Sequence, residues 1–302
     1  MTKQKPPQVQ TFFSPVIGAF ILLVLLSGGA SIAIKFSYDE LPTFWGAALR
    51  FGSTTAILWL LVAIRSTSLP RGKALLVSTL HGALGIGFAF PIMYWGLERT
   101  PASLHQIIFS LAPLLTLFFA VLHRLETLHL RNLIGAIIAV TGIAIIFSAT
   151  VSGDLSIIRL LGLVLAAALM AESSVLIKPF ANLDPIAVIT VSCTVGTAII
   201  VTISAIVREP WILPSTAGTW WLLTYLSIGT TLITFVLYLY VLKRWTASAT
   251  AYMFVLIPLV TVILATSFAG ERITWLFIIG ASVVLVGVWL GALLPTKPKT
   301  SL

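Results

Sequence analysis

The sequence predicts an all-α polytopic membrane protein of ten transmembrane helices in two inverted five-helix repeats, and three observations carry that reading. Of 302 residues, 59% are hydrophobic and 9% charged, against ~25% charged in soluble domains. The apolar residues gather into ten runs, each near the ~20 residues that cross ~30 Å of hydrocarbon. The second half of the chain repeats the first in one frame at an offset of 145. So few charged side chains cannot clothe a soluble core of this size, so the bilayer is the solvent.

In chain order, a tail at 1–14 carries Lys3 and Lys5, and the runs lie near 15–37, 42–64, 74–97, 101–122, 131–150, 159–180, 185–207, 217–241, 246–268 and 273–294. The first run exceeds a signal-peptide apolar region and lacks a convincing cleavage site, so it is predicted to remain as a span. Short turn-forming segments separate the runs, among them Asp39-Glu40-Leu41-Pro42, Ser68 to Gly72, Ser152-Gly153-Asp154, Asp184-Pro185 and Glu209-Pro210. None has room for an extramembrane catalytic domain. A tail at 295–302 holds Lys297 and Lys299.

Basic residues in alternating loops divide twelve to five. Arg65, Arg71, Lys73, Arg124, Arg131, Lys178, Lys243 and Arg244 join the tail lysines on one side, and Lys35, Arg99, Arg159, Arg208 and Arg272 fall on the other. The positive-inside rule then puts both termini in the cytoplasm of a multi-pass cell membrane protein, most simply a bacterial inner membrane protein. The net charge of +9 is thus a topology signal and not a nucleic-acid footprint. Arg50 alone is left inside a span. The single cysteine, Cys193, excludes a disulfide framework or cysteine-rich metal site.

The repeat is gapless from Leu97 to Gly142 and from Leu242 to Gly287, with 15 identities in 46 positions. Arg99, Pro113, Glu126, Gly135 and Gly142 recur as Arg244, Pro258, Glu271, Gly280 and Gly287. Earlier spans match more loosely, with Gly18 and Gly162, Lys35 and Lys178, Pro42 and Pro185 at offsets of 143 to 144. Five spans per repeat is an odd number, so the second copy, 159–294, enters the membrane opposite to the first, 15–150. Inverted repeats suit alternating access in secondary transporters.

The residues that repeat also carry a resemblance. Gly96 to Ser103, Pro113, Glu126 and the Gly135 to Gly142 helix, matched by Lys243 to Ser248, Pro258, Gly270-Glu271-Arg272 and Gly280 to Gly287, resemble the EamA-type transporters of the drug/metabolite transporter superfamily over essentially the whole chain. The resemblance implies ten helices, a central cavity, and movement of small metabolites such as amino acids, often outward. Lys35 and Arg50 sit where such proteins often carry a basic residue. Two departures are Ser27, where a tryptophan is frequent, and Leu125, in place of a glycine before Glu126.

Pro113 and Pro258 each lack an amide proton and crowd the carbonyl four residues back, so each is predicted to kink its helix, as a paired hinge or as static packing. Glu172, inside span six, costs a few kcal/mol unless paired, protonated or facing water, and is the foremost candidate for carrying a proton or anchoring a substrate amine. Arg50 could meet it near the midplane; an Arg50–Glu172 pair, or Arg50 on backbone carbonyls, is the structural alternative. His81 in span three and His105, Gln106 and Ser110 in span four are polar groups that need partners or a wet cavity. Tyr94, Trp95, Tyr225 and Tyr252 could line an amphipathic cavity, whereas tryptophans near span ends read as interface anchors. Gly82-Ala-Leu-Gly85-Ile-Gly87 has no preceding strand and is no dinucleotide loop. Gly135, Ala139, Gly142, Gly287 and Gly291 give spans five and ten close-packing faces, leaving monomer and homodimer both open.

These features predict a secondary transporter for a small amphipathic metabolite, with lipid and substrate as partners, protons as a candidate coupling ion, and no cofactor or metal. No Walker loop is present to use ATP. A polytopic membrane enzyme is the first alternative, but no HExxH, GxSxG or paired-carboxylate motif appears. A channel or uncoupled facilitator is the second.

Overall fold

The computed structural model describes residues 15–127, 129–150, 156–180, 182–245, 247–251, 253–270 and 272–290. Among them every regular element is helical. We number these elements α1 (Pro15–Ser37), α2 (Thr43–Arg65), α3 (Lys73–Glu98), α4 (Ala102–Leu122), α5 (Leu130–Thr150), α6 (Ile157–Phe180), α7 (Pro185–Ile206), α8 (Ala217–Arg244), α9 (Met253–Phe268) and α10 (Trp275–Val288). Seven are long and apolar enough to cross a bilayer, while Leu130–Gly142 of α5, α9 and α10 are shorter apolar stretches. The tails at 1–14 and 295–302, with Glu271, Tyr252 and Gly291, lie outside the described residues.

Helix starts follow from local chemistry. Asp184 Oδ1 accepts from Ile186 N at 2.8 Å and Ala187 N at 3.1 Å, with Pro185 in the first turn where no amide proton is needed. Thr216 and Thr274 cap α8 and α10 through Thr219 N and Phe277 N. After α2 and α7 the chain turns through left-handed Ser66 and Arg208. The start of α2 is capped from elsewhere in the sequence. Phe44 N and Trp45 N donate to the two oxygens of Glu209, at 3.0 and 2.7 Å. Glu40, just before α2, in turn accepts from Ser215 N, Thr216 N, Thr216 Oγ1 and Thr219 Oγ1 at the start of α8. These bonds, led by the Thr216 hydroxyl, hold the Glu40 carboxyl down at about 2. Trp45 stacks on Trp211 at 5.0 Å, and its Nε1 donates to Ile212 O.

Among the described residues four interruptions mark the helices, the first at Gly29 of α1, between Pro15–Gly28 and Ala30–Ser37. The backbone of α3 widens to a π-helix over Ala83–Phe88 and that of α8 over Tyr225–Ile233, the kind of bulge that is frequent at functional sites. α4 is broken at Ser110 and Leu111, between Ala102–Phe109 and Ala112–Leu122.

Small residues set the packing. A Cβ on Gly142 would lie 2.6 Å from Gly280 O, and one on Gly287 would lie 2.7 Å from Gly135 O and closer still to Ala139 N. α5 and α10 therefore touch backbone to backbone, running antiparallel. α2 and α7 are antiparallel too, through Thr55 with Thr197 and Trp59 with Thr194. Gly82 lets α3 reach the Ser192 backbone of α7. At the matching place, Ser53 of α2 meets Ser227 of α8, Oγ to Oγ at 2.7 Å, and Thr54 Oγ1 donates to Ser227 O.

Candidate functional site

Helices α1 to α4 and α6 to α9 enclose a cavity of about 970 Å³, counting the open space at its mouth, and among the described residues α5 and α10 contribute none to its lining. Most of the wall is apolar, with Phe90, Met93, Phe109, Phe235 and Phe254 prominent, and the polar groups fall in three clusters.

The first cluster is Arg50. The residue is 2% exposed, and its guanidinium carbon lies 5.0 and 5.1 Å from the ring centroids of Phe51 and Phe90. Nε donates to Thr231 Oγ1 at 2.7 Å, Nη2 to Thr230 Oγ1 at 2.9 Å and Thr230 O at 3.3 Å, and Nη1 to Tyr94 Oη at 3.3 Å. The π-helical stretch of α8 aims both threonine hydroxyls at one cation, and each passes its own proton to Leu226 O. A buried cation costs several kcal/mol unless hydrogen-bonded or paired, and this one has neutral acceptors only.

The second cluster joins α1 to α4. Gln106 Nε2 donates to Ser31 Oγ at 2.7 Å, and Ser31 Oγ lies 3.0 Å from His105 Nδ1. The third lies on the other half of the cavity. Ser192 Oγ donates to Ser78 O, so His81 Nδ1, 3.1 Å away, is the donor to Ser192; Ser173 and Ser174 line the wall beside it.

Arg50, His81, His105 and Gln106 thus share one cavity, and Tyr94 sits behind Arg50. The remaining candidates lie elsewhere. Glu172 Oε1 pairs with His123 Nε2 at 2.7 Å, on the flank between α6 and α4, and is not brought to Arg50. Adjacent helical residues point ~100° apart, so Ser173 faces the cavity and Glu172 turns away. Trp95 packs on Gly162 beneath Arg159, Ser110 donates to Ile107 O at the α4 break, and Tyr225 donates to Leu26 O. Pro113 stands in the first turn after the α4 break, whereas α9 runs on through Pro258. Sequence reading passed over Ser31, Thr230 and Thr231. The adjacent Thr230-Thr231 pair beside Gly229, in a span otherwise rich in Leu and Tyr, was the available signal.

The two ends of the bundle are tied alike. Lys35, closing α1, donates to Thr100 O just beyond α3 at 2.9 Å. Lys178, closing α6, donates to Leu242 O at 2.5 Å and Trp245 O at 2.6 Å at the end of α8. The repeat relates Lys35 to Lys178 and Thr100 to Trp245.

The sequence profile of the EamA-like transporter family matches residues 14–148 and 157–292. The chain belongs to the EamA-like transporter family. It is 26% identical over 300 residues to an uncharacterized inner membrane transporter, YedA, of Escherichia coli (strain K12), covering 94% of each chain. It is 22% identical over 290 residues to an uncharacterized transporter, YyaM, of Bacillus subtilis (strain 168), covering 90% of this chain and 92% of that one. A solved crystal structure shares the fold at TM-score 0.69 and 20% identity, over 92% of this chain and 96% of the other. As a member of the family, the chain is a multi-pass membrane transporter and not an enzyme.

Proposed function

We propose that this EamA-family protein is a secondary transporter that carries a small amphipathic metabolite, an amino acid or a related compound, by alternating access between two inverted five-helix repeats, 15–150 and 159–294. The matched lysine ties carry the reading. Equivalent lysines bind equivalent carbonyls at opposite ends of the bundle, as two copies inserted in opposite senses require, and antiparallel α5 and α10 meet through equivalent glycines. The cavity lies between these ends. Rocking of one group of helices against the other would open each end in turn.

In this reading all ten helices cross the membrane and both termini are cytoplasmic, so the Glu40 end faces outward and the Lys178 end inward. Transport runs outward, Pro113 and Pro258 take up the bending, and Glu172 with His123 is the titratable pair available to a coupling proton. The test is flux of a metabolite panel into proteoliposomes with and without an imposed proton gradient. Saturable, gradient-driven uptake of an amphipathic solute is expected. Large single-channel currents, or no flux of any solute, would sink the proposal.

A further inference from the structure

We infer that the cavity holds its solute by a carboxylate, received on the polar wall to which His105 and Arg50 both belong, and needs no ammonium group on that solute. The inference rests on the transport reading only for the cavity's use; the chemistry is that of the wall.

His105 is 2% exposed, lines the cavity, and has Nε2 buried with no partner in the protein. Ser31 Oγ accepts the Gln106 amide proton and keeps a second lone pair, so its 3.0 Å contact with His105 Nδ1 can run in either direction. In the carboxylate-bound form Ser31 donates to Nδ1, and Nε2 bears the ring proton and is the donor. A buried N–H without an acceptor costs about as much as a lost hydrogen bond, and within the cavity a ligand oxygen can meet it. The relay spans α1 and α4, so the ring is held from both sides.

Arg50 supplies the charge. Of the two protons on Nη1, one reaches Tyr94 at 3.3 Å, leaving a donor beside the cavity. Threonine hydroxyls, a carbonyl and a tyrosine fix the guanidinium in place without neutralising it. Among the described residues that line the cavity there is no Asp or Glu, and Glu172 spends one carboxylate oxygen on His123 outside it. The wall therefore offers one full positive charge and an orphan donor, with no anion to balance an ammonium. Phe90, Phe109 and Phe235 suit an apolar body. The ligand class is an apolar monocarboxylate.

The test uses the full chain and three probes of one shape: 3-phenylpropionate, its neutral amide, and phenethylamine. Binding is measured by calorimetry in nanodiscs and flux in proteoliposomes. 3-Phenylpropionate should bind at least about tenfold more tightly than phenethylamine, with the amide between, since a hydrogen bond to a charged group is worth roughly tenfold or more. His105→Phe should weaken the carboxylate about tenfold and leave phenethylamine unchanged, and His105→Gln, which keeps a donor, should restore part of the loss. Arg50→Gln should weaken the carboxylate but not the amide; if that variant does not fold, the His105 pair decides alone. Equal or tighter binding of phenethylamine, or unchanged carboxylate binding in His105→Phe, overturns the inference. Carboxylate binding without flux supports this site and removes the transport reading. Flux of other solutes without carboxylate binding does the reverse.

Discussion

Substituting Gly142 and Gly287 by alanine, singly and together, tests whether α5 and α10 meet about a two-fold axis. A Cβ at Gly142 would stand 2.6 Å from Gly280 O, where ordinary contact begins at 3.4 Å, and the obstacle is backbone that cannot swing aside. The helices must part by about 0.8 Å. A gap of that size forfeits a quarter to a half of the dispersion energy of the atoms it separates, and overpacking of this kind costs ~1–3 kcal/mol. Alanine returns up to ~1 kcal/mol of helix propensity, so each single change should destabilise by roughly 1–2 kcal/mol. Gly287 meets Gly135 O in the corresponding way and its Cβ would stand about 1.0 Å inside ordinary contact with Ala139 N, so a parting of that size admits both methyls. The double variant should then lose little more than either single, a coupling within the 0.5–3 kcal/mol seen for touching sites. Reversible unfolding in detergent, read as a double-mutant cycle, gives the three values. Additive losses, or one glycine tolerating alanine freely, would falsify the shared two-fold contact.

Other consequences are as direct. Glu40 has its carboxyl held down at about 2 against an ordinary 4.5. Its contribution to stability is therefore complete above about pH 4.5 and lost as the pH falls through about 2; Glu40→Gln should abolish that acid-dependent part, measured as unfolding temperature against pH. Glu209→Ala leaves Phe44 N and Trp45 N without their cap, which costs ~1–2 kcal/mol. In a Cys193→Ser background, Ser31→Cys should react faster with a membrane-impermeant thiol reagent when Glu209→Ala is added, and an unchanged rate would count against the reciprocal caps of Glu40 and Glu209 holding that end closed. Glu172→Gln replaces the carboxylate that pairs with His123 and should uncouple uptake from an imposed proton gradient while leaving counterflow intact; full coupling in the variant removes Glu172 from the proton path.

The helices were legible because membrane solvent imposes a coarse signal, ~20 apolar residues punctuated by turns. The 97–142 repeat was legible because glycine, proline and arginine are rare enough in such runs to mark a frame. The π-helical turns of α3 and α8 were not, since a widened turn leaves no distinctive residue pattern. With them the partners of Arg50 stayed hidden, Thr230 and Thr231 on α8. Glu172 and Arg50 lay at depths from which either could reach the other, but depth says nothing of azimuth. One residue along α6 decides between the cavity and the α4 flank, and Ser173, not Glu172, has the cavity side.

The places where the two copies differ form a pattern of their own. Contacts that depend on backbone approach are kept: Lys35 and Lys178 on carbonyls, Gly142 and Gly287 on their partners, Ser66 and Arg208 in left-handed turns. Side chains that carry charge into the cavity or across one end are not. Arg50 corresponds to Cys193, Glu40 to Leu183 and Glu172 to Gly29, and the loop Ser66-Thr67-Ser68 after α2 has no carboxylate to match Glu209 after α7. Under the proposed alternating access, two halves that exchange conformations need a common backbone geometry. A membrane is not symmetric, and neither is a solute with one charged end. The lysine ties occur at both ends, and the reciprocal caps of Glu40 and Glu209 add further hydrogen bonds at the Glu40 end, which opening there must break. In the proposed alternating cycle, weakening the caps should shift the resting population toward the state open at the Glu40 end, whichever solute is carried.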